Sequence, residues 1–286
     1  MSGSAYSIEM PQVWRSPVVI ASPHSGANYP QAFVEQSILD AKRLRSSEDA
    51  FVDGLFSAAP QLGMPMLTAR VPRAFVDFNR ASDELDPALI EGVTRRGQNP
   101  RVASGLGVIP RVVSNGRTIY RGKIPLTEAR ARINQYWVPY HAALQRLLDA
   151  AHARFGETIL IDCHSMPHEA VESVAMLRAR RPEIVLGDRF GAAAQGAIVD
   201  RVEAAFASAG FRVARNSPFA GAYITQTYGR PSRGQHAVQV EIDRSLYMDE
   251  VHIRPNGQFE EVRARLTQAL REIAEQGSDS QPMAAE

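Results

Sequence analysis

What this sequence has little of narrows the field first. It holds one cysteine, Cys163, so no internal disulfide can form, which suits a reducing compartment. No run approaches the roughly 18 apolar residues of a membrane span. The opening MSGSAYSIEM lacks the charged-then-apolar layout of a secretory leader. Together these absences predict a soluble cytoplasmic protein with no membrane partner. Charge of one sign is missing too: 32 Lys+Arg stand against 31 Asp+Glu, a net +1, which argues against a nucleic-acid binder. There is no GxGxxG opening a helix after the first strand, no GxxxxGK[ST], no GxSxG, no HExxH and no CxxC. Rossmann cofactor binding, P-loop chemistry and α/β-hydrolase catalysis therefore lack support.

What is present is a chain of 286 residues, 44% hydrophobic, long enough to bury a core without disulfides. It reads as one α/β domain over 11–276, with loose ends at 1–10 and 277–286. Short apolar runs alternate with helical stretches. Pro17 to Ala21, stopping at Ser22-Pro23, and Thr158 to Asp162, stopping at Cys163-His164, read as buried strands. Met66 to Arg70, Ala74 to Phe78, Ser173 to Leu177, Phe211 to Arg215 and His236 to Ile242 are further strand candidates. Apolar faces at helical spacing run over Ile133 to Ala151, interrupted by Pro139, over Ile198 to Phe206, and over Phe259 to Ile273. The alternation predicts a three-layer α/β/α sandwich around a mixed, largely parallel sheet. Residues 81–123, rich in Gly, Arg, Asp and Pro, read as an irregular functional loop region or a small subdomain.

Five constellations carry chemistry. His24, in Ser22-Pro23-His24-Ser25-Gly26, follows a strand, where ligands of open α/β sheets bind; a loop histidine bonded to backbone is the plain alternative. Ile161-Asp162-Cys163-His164-Ser165 repeats the arrangement. Two such histidines can converge on one zinc ion, with Asp162 orienting a ring nitrogen of His164. Cys163 alternates into the core. Glu48 and Asp49 suit the first turn of a helix capped by Ser46 or Ser47; alternatively, one of them completes a two-His, one-carboxylate metal site with a position open for water. Asp77-Phe78-Asn79-Arg80 offers an amide and a guanidinium to a substrate carboxylate, or an internal ion pair of Arg80 with Asp77 or Asp83. Glu241, at the end of an apolar strand, needs a partner or a function and suits a general base. The polar loop Gly221 to Arg230, with Tyr228 and Arg230, suits the lining of a pocket. His141 and His152 read as structural or exposed, and His168 has no assignment.

Taken in order, Ser-Pro-His-Ser-Gly at 22–26, Glu-Asp-Ala-Phe-Val-Asp at 48–53, Asp-Phe-Asn-Arg at 77–80, Pro-Tyr-His at 139–141, Asp-Cys-His-Ser-Met at 162–166, Tyr-Gly-Arg-Pro at 228–231 and Gln-Val-Glu-Ile-Asp-Arg-Ser-Leu-Tyr-Met at 239–248 resemble the N-formylglutamate amidohydrolase family. The resemblance spans about Val18 to Met248. It implies a phosphorylase/hydrolase-like fold akin to zinc carboxypeptidases. It also implies hydrolysis of N-formyl-L-glutamate to formate and L-glutamate, the last step of one bacterial histidine-degradation route.

Carried over, His24, Asp49 and His164 match the metal ligands for Zn²⁺ or another divalent transition metal, with Asp49 fitting better than Glu48. Glu241 resembles the catalytic glutamate. Asn79 and Arg80 resemble the carboxylate-binding pair, and Tyr228 and Arg230 are substrate-binding candidates. A dianionic substrate calls for a second cation, with Arg230, Arg233 and Arg121 as candidates. The arginines between Arg70 and Arg121, Arg95 and Arg96 among them, favour an anionic ligand. Another N-acyl amino acid or a small peptide is the alternative substrate, and a binding protein that has lost catalysis is the alternative class. Oligomeric state is left open.

Overall fold

The computed structural model of the chain describes residues 4–94, 99–175 and 181–278. Seven strands form a mixed sheet: β1 (Tyr6–Glu9), β2 (Val18–Ser22), β3 (Met66–Ala69), β4 (Thr158–Met166), β5 (Ile184–Gly187), β6 (Val213–Arg215) and β7 (Gln235–Asp243). Their order is β1-β3-β2-β4-β7-β5-β6. β2 and β7 both run parallel to β4, and β6 runs parallel to β5; β5 meets β7 antiparallel. Helices flank the sheet, as the alternation predicts. β2, β4 and β5 are buried at every position, which is why they read as continuous rather than alternating apolar runs.

The chain forms two compact units. The first comprises Met1–Ser7, Pro23–Ala50 and Thr68–Ala143; the second comprises Ile8–Ser22, Phe51–Leu67 and Leu144–Glu286. The first has an aromatic core. Phe33 packs 5.2 Å from Phe75, and Phe75 packs 5.3 Å from Tyr136, between ring centroids. The Arg132 guanidinium lies 4.4 Å above the Phe75 ring and donates to the Tyr120 hydroxyl at 2.7 Å. In the second, helix Gly196–Ser208 packs on helix Phe259–Ser278. Their buried stripes are Ile198, Val202 and Phe206, and Val262, Leu266, Leu270 and Ile273. Burying each such side chain contributes about 1.5–3 kcal/mol.

Several expectations need correction. Tyr6–Glu9 is a strand, not a frayed end: Arg70 N–H donates to Ala5 O at 3.0 Å, and the Ser7 and Thr68 hydroxyls bond at 2.7 Å. β4 does not stop at Cys163 but continues through His164 to Met166, because β7 pairs with it residue for residue that far. Ala74 to Phe78 is not a strand. Phe75 and Val76 N–H groups turn back onto Pro72 O, a local closure that apolar composition alone does not reveal. His168–Ala175 is a helix, so the strand read over Ser173 to Leu177 is wrong where it is described; residues 176 and 177 lie outside the described residues. β5 was not anticipated.

Ahead of Pro139, helix Leu126–Arg132 passes through a π turn, Ile133–Trp137, into helix Val138–Phe155. Proline offers no N–H to the preceding turn, so the wider turn sits where the helical ladder is interrupted. Within 81–123, the described residues form a short helix, Pro100–Ala103, and a 3₁₀ turn, Ser114–Gly116, among irregular chain; Arg95 and Arg96 lie outside the described residues.

Candidate active site

In the first unit, His24 leaves β2 after Pro23. Gly26 lets the loop that follows lie against the chain at Arg70–Val71: a Cβ at that position would come 2.3 Å from Val71 O. His24 is buried, and its Nε2 lies 2.7 Å from Asp77 Oδ1. The same Oδ1 accepts the Asn79 N–H at 2.8 Å, while Oδ2 accepts from Arg73 Nη2 at 3.0 Å. Burial alone would raise the Asp77 carboxyl, but His24, Arg73 and Arg80 around it hold it well below the usual carboxylate range. An ionised carboxylate only accepts, so His24 Nε2 donates this bond. The His24 Nδ1 faces Asp49 Oδ2 at 3.4 Å, and the Asp49 N–H donates to His24 O at 3.1 Å.

Glu48 and Asp49 are separated by their partners. The Glu48 carboxylate takes the Tyr29 hydroxyl at 2.6 Å and a fork from Arg45, Nε at 3.0 Å and Nη2 at 2.9 Å. Asp49, the neighbouring residue, turns to His24 and Arg73 instead. Both acids are buried, so each needs such partners.

In the second unit, β4 and β7 pair in register, His164 beside Glu241 and Asp162 beside Gln239. Register and the two-residue period put all four side chains on one face of the sheet. His164 Nε2 sits 3.1 Å from Asp162 Oδ2, repeating the carboxylate–histidine arrangement of His24 and Asp77. Gln239 Nε2 donates to Glu241 Oε1 at 2.8 Å, which fixes the carboxylate's orientation.

His24, Asp49 and His164 each offer one donor atom, and the three atoms lie within 4.8 Å of one another, all in buried residues. Two imidazoles and one carboxylate suit a divalent transition metal. The fit is supported from outside the group: each histidine turns its Nε2 to a buried carboxylate, leaving Nδ1 as the donor. This group could bind a metal.

Asn79 and Arg80 stand on a segment held at every carbonyl. Phe78 O bonds His141 Nε2 at 2.9 Å, Asn79 O accepts Arg80 Nη1 at 2.8 Å, and Arg80 O accepts Trp137 Nε1 at 2.9 Å. Such bracing keeps a guanidinium oriented without substrate. Burial pushes His141 down to about 4, with the bond to Phe78 O opposing, so its ring is neutral.

Tyr228 and Arg230 fall elsewhere. The Arg230 N–H donates to Gln235 O at 2.7 Å, at the start of β7 and six residues before Glu241, or about 20 Å along the strand. Tyr228 and Arg230 line a small crevice with Thr158, Gln235 and His236. Burial, with Tyr223 nearby, raises the Tyr228 phenol. Arg233 ends the 3₁₀ turn between Arg230 and β7, and its carbonyl bonds His152 Nε2 at 2.9 Å. Arg121 lies in an exposed turn. Sequence reasoning missed Asp77 as the partner of His24, and Arg73, Trp137 and His141 as the bracing. Only the Asp two residues before Asn79 hinted at any of them.

A family profile described as N-formylglutamate amidohydrolase matches residues 16–248. N-formylglutamate deformylase of Pseudomonas aeruginosa is 33% identical over 243 residues, 82% of this chain and 84% of that protein. The protein of the same name from Pseudomonas putida is 31% identical over 243 residues, 82% of this chain and 83% of its own length. The crystal structure of N-formylglutamate amidohydrolase from Ralstonia eutropha JMP134 superposes with a TM-score of 0.90 at 36% identity, covering 97% of this chain and all of that one (100%).

Proposed function

The chain belongs to the N-formylglutamate amidohydrolase family, and from that membership we propose that it hydrolyses N-formyl-L-glutamate to formate and L-glutamate. It is a hydrolase acting on amide C–N bonds. The observation that carries the reading is the buried His24, Asp49 and His164 group, with Glu241 in register beside His164. His24, Asp49 and His164 would hold a divalent ion, zinc by the chemistry of the donors. When bound there, such an ion supplies Lewis-acid polarisation of the formyl carbonyl and lowers the pKa of water towards about 7.

The protein's own residues do the rest. Glu241, with Oε1 held by Gln239, takes a proton from the attacking water and returns it to the departing amine. The water oxygen bonds to the formyl carbon and the C–N bond breaks, so formate and the free amino group of glutamate leave. Arg80 and Asn79 bind the α-carboxylate, and Arg73 steadies Asp77 and Asp49. The same reading assigns the protein to the cytoplasm and to the end of a histidine-degradation route. Among the described residues, no helix is long and apolar enough to cross a membrane.

The test compares turnover of N-formyl-, N-acetyl- and N-succinyl-glutamate and N-formyl-aspartate, with metal content measured in wild type and His164→Ala. Preferential release of formate from N-formylglutamate, and loss of both metal and activity in the variant, are expected. Full metal and full activity in His164→Ala would reject the site, and preference for another acyl group would reject the substrate.

A further inference from the structure

Two cations in the arginine-rich segment of the first unit, Arg80 and Arg101, make no ion pair with a carboxylate among the described residues and are tied to each other through the main chain. Arg80 is only 8% exposed. Its guanidinium is held by main-chain oxygens, Nε to Leu106 O at 3.0 Å and Nη1 to Asn79 O at 2.8 Å. Among the described residues, no carboxylate oxygen comes within the 4.0 Å of an ion pair, for Arg80 or for Arg101. The contrast with the neighbours is plain: Arg73 is engaged by Asp77 and Asp49, and Arg111 by Asp86 at 2.8 Å. A buried guanidinium held by main-chain oxygens, with Asp77 acting on it only from beyond ion-pair distance, remains costly.

The two are tied through one residue. Leu106 N–H donates to Arg101 O at 2.8 Å, and Leu106 O accepts from Arg80 Nε at 3.0 Å. Arg101 stands on the short helix Pro100–Ala103, fixed by Asn99 Oδ1, which accepts the Arg101 and Val102 N–H groups at 3.0 and 3.3 Å. The two charges also sense each other. Burial lowers the Arg80 guanidinium, and repulsion from Arg73 and Arg101 adds to this, against attraction from Asp77 and Glu84. Two like charges thus stand near one another, and among the described residues neither is paired directly with a carboxylate. A ligand with two negative charges relieves both at once.

We propose that Arg101 receives the side-chain carboxylate of the substrate while Arg80 holds its α-carboxylate, making Arg101 the residue that selects a dicarboxylate. The order follows from chain position. Arg80 lies on the segment whose Asp77 touches His24, close to where the amide is cleaved, whereas Arg101 is exposed on the surface loop. This rests on the N-formylglutamate reading. It also replaces Arg230, Arg233 and Arg121 as the second cation.

The test measures kcat and KM for N-formylglutamate and N-formylglutamine in wild type, Arg101→Gln and Arg101→Lys. The glutamine compound keeps the shape of the side chain and removes its charge. Wild type should prefer N-formylglutamate. Arg101→Gln should lose about 10- to 100-fold in kcat/KM on that substrate, mainly through KM, and change by less than about threefold on N-formylglutamine. Arg101→Lys should keep most of the preference. An unchanged preference in Arg101→Gln, or an equal fall on both substrates, overturns the assignment of Arg101 and leaves the reaction standing. A wild type that cleaves both equally does the same. A wild type that cleaves neither overturns the reaction and the assignment with it.

Discussion

Replacing His141 with glutamine gives a quantitative check on how the Phe78 to Arg80 segment is braced. The ring of His141 lies 4.0 Å from the Trp137 ring and 5.5 Å from Tyr140, and its Nε2 bonds Phe78 O at 2.9 Å. Burial there lowers its pKa from 6.5 to about 4. The neutral form is the folded form, so the unfolded chain binds the proton first as pH falls. The contribution is complete above about pH 6.5 and is lost between there and about pH 4. Integrating the shift gives a loss of about 0.8 kcal/mol at pH 6, about 2 at pH 5 and about 3 at pH 4.

A glutamine amide can still donate to Phe78 O, but it does not titrate. Urea unfolding of wild type and His141→Gln at pH 8, 6, 5 and 4 isolates the term, because every other titrating group is common to both. The stability difference between the two proteins should move by about 3 kcal/mol in favour of the variant from pH 8 to pH 4. A difference that stays constant with pH would refute the assignment of a buried neutral histidine, and with it the account of how Phe78 to Arg80 is held.

Three further outcomes follow from the site. Glu241→Gln should lower kcat by about 10²- to 10⁴-fold with metal content unchanged, measured by turnover and elemental analysis; near-normal turnover would remove Glu241 as the base. Asp77→Asn should weaken metal binding by about 10- to 100-fold in a chelator competition, because His24 loses the partner that orders its ring; unaltered affinity would contradict that role. Asp49→Asn should shed the metal, while Glu48→Gln should keep it and lose stability instead, as Tyr29 and Arg45 lose an ionised partner; the opposite pattern would exchange the two acids.

The sequence by itself determined much of this protein. Apolar runs located β2 and the first half of β4, because a strand covered on both faces has a local signature, and β7 showed as a strand of alternating apolar and polar residues. His24, His164 and Glu241 stood out as candidates because a polar residue closing a buried strand is costly unless it is used. Helical spacing likewise located the stripes on Gly196–Ser208 and Phe259–Ser278.

Other features depend on contacts between distant residues, and only the tertiary structure decided them. Nothing local in Ile184–Gly187 announces an antiparallel strand beside β7. The apolar stretch Ala74 to Phe78 becomes a turn because its N–H groups close on Pro72. Glu48 and Asp49 are adjacent and chemically alike, and only Tyr29 and Arg45 on one side and His24 on the other tell them apart. The pairing of Asp77 with His24, the hold of Trp137 and His141 on the Phe78 to Arg80 segment, and the tie of Arg101 to Arg80 through Leu106 are events of the same kind, between residues apart in sequence. A carboxylate or a guanidinium has the same composition wherever it stands, and its task is set by the partners that folding brings within hydrogen-bonding distance.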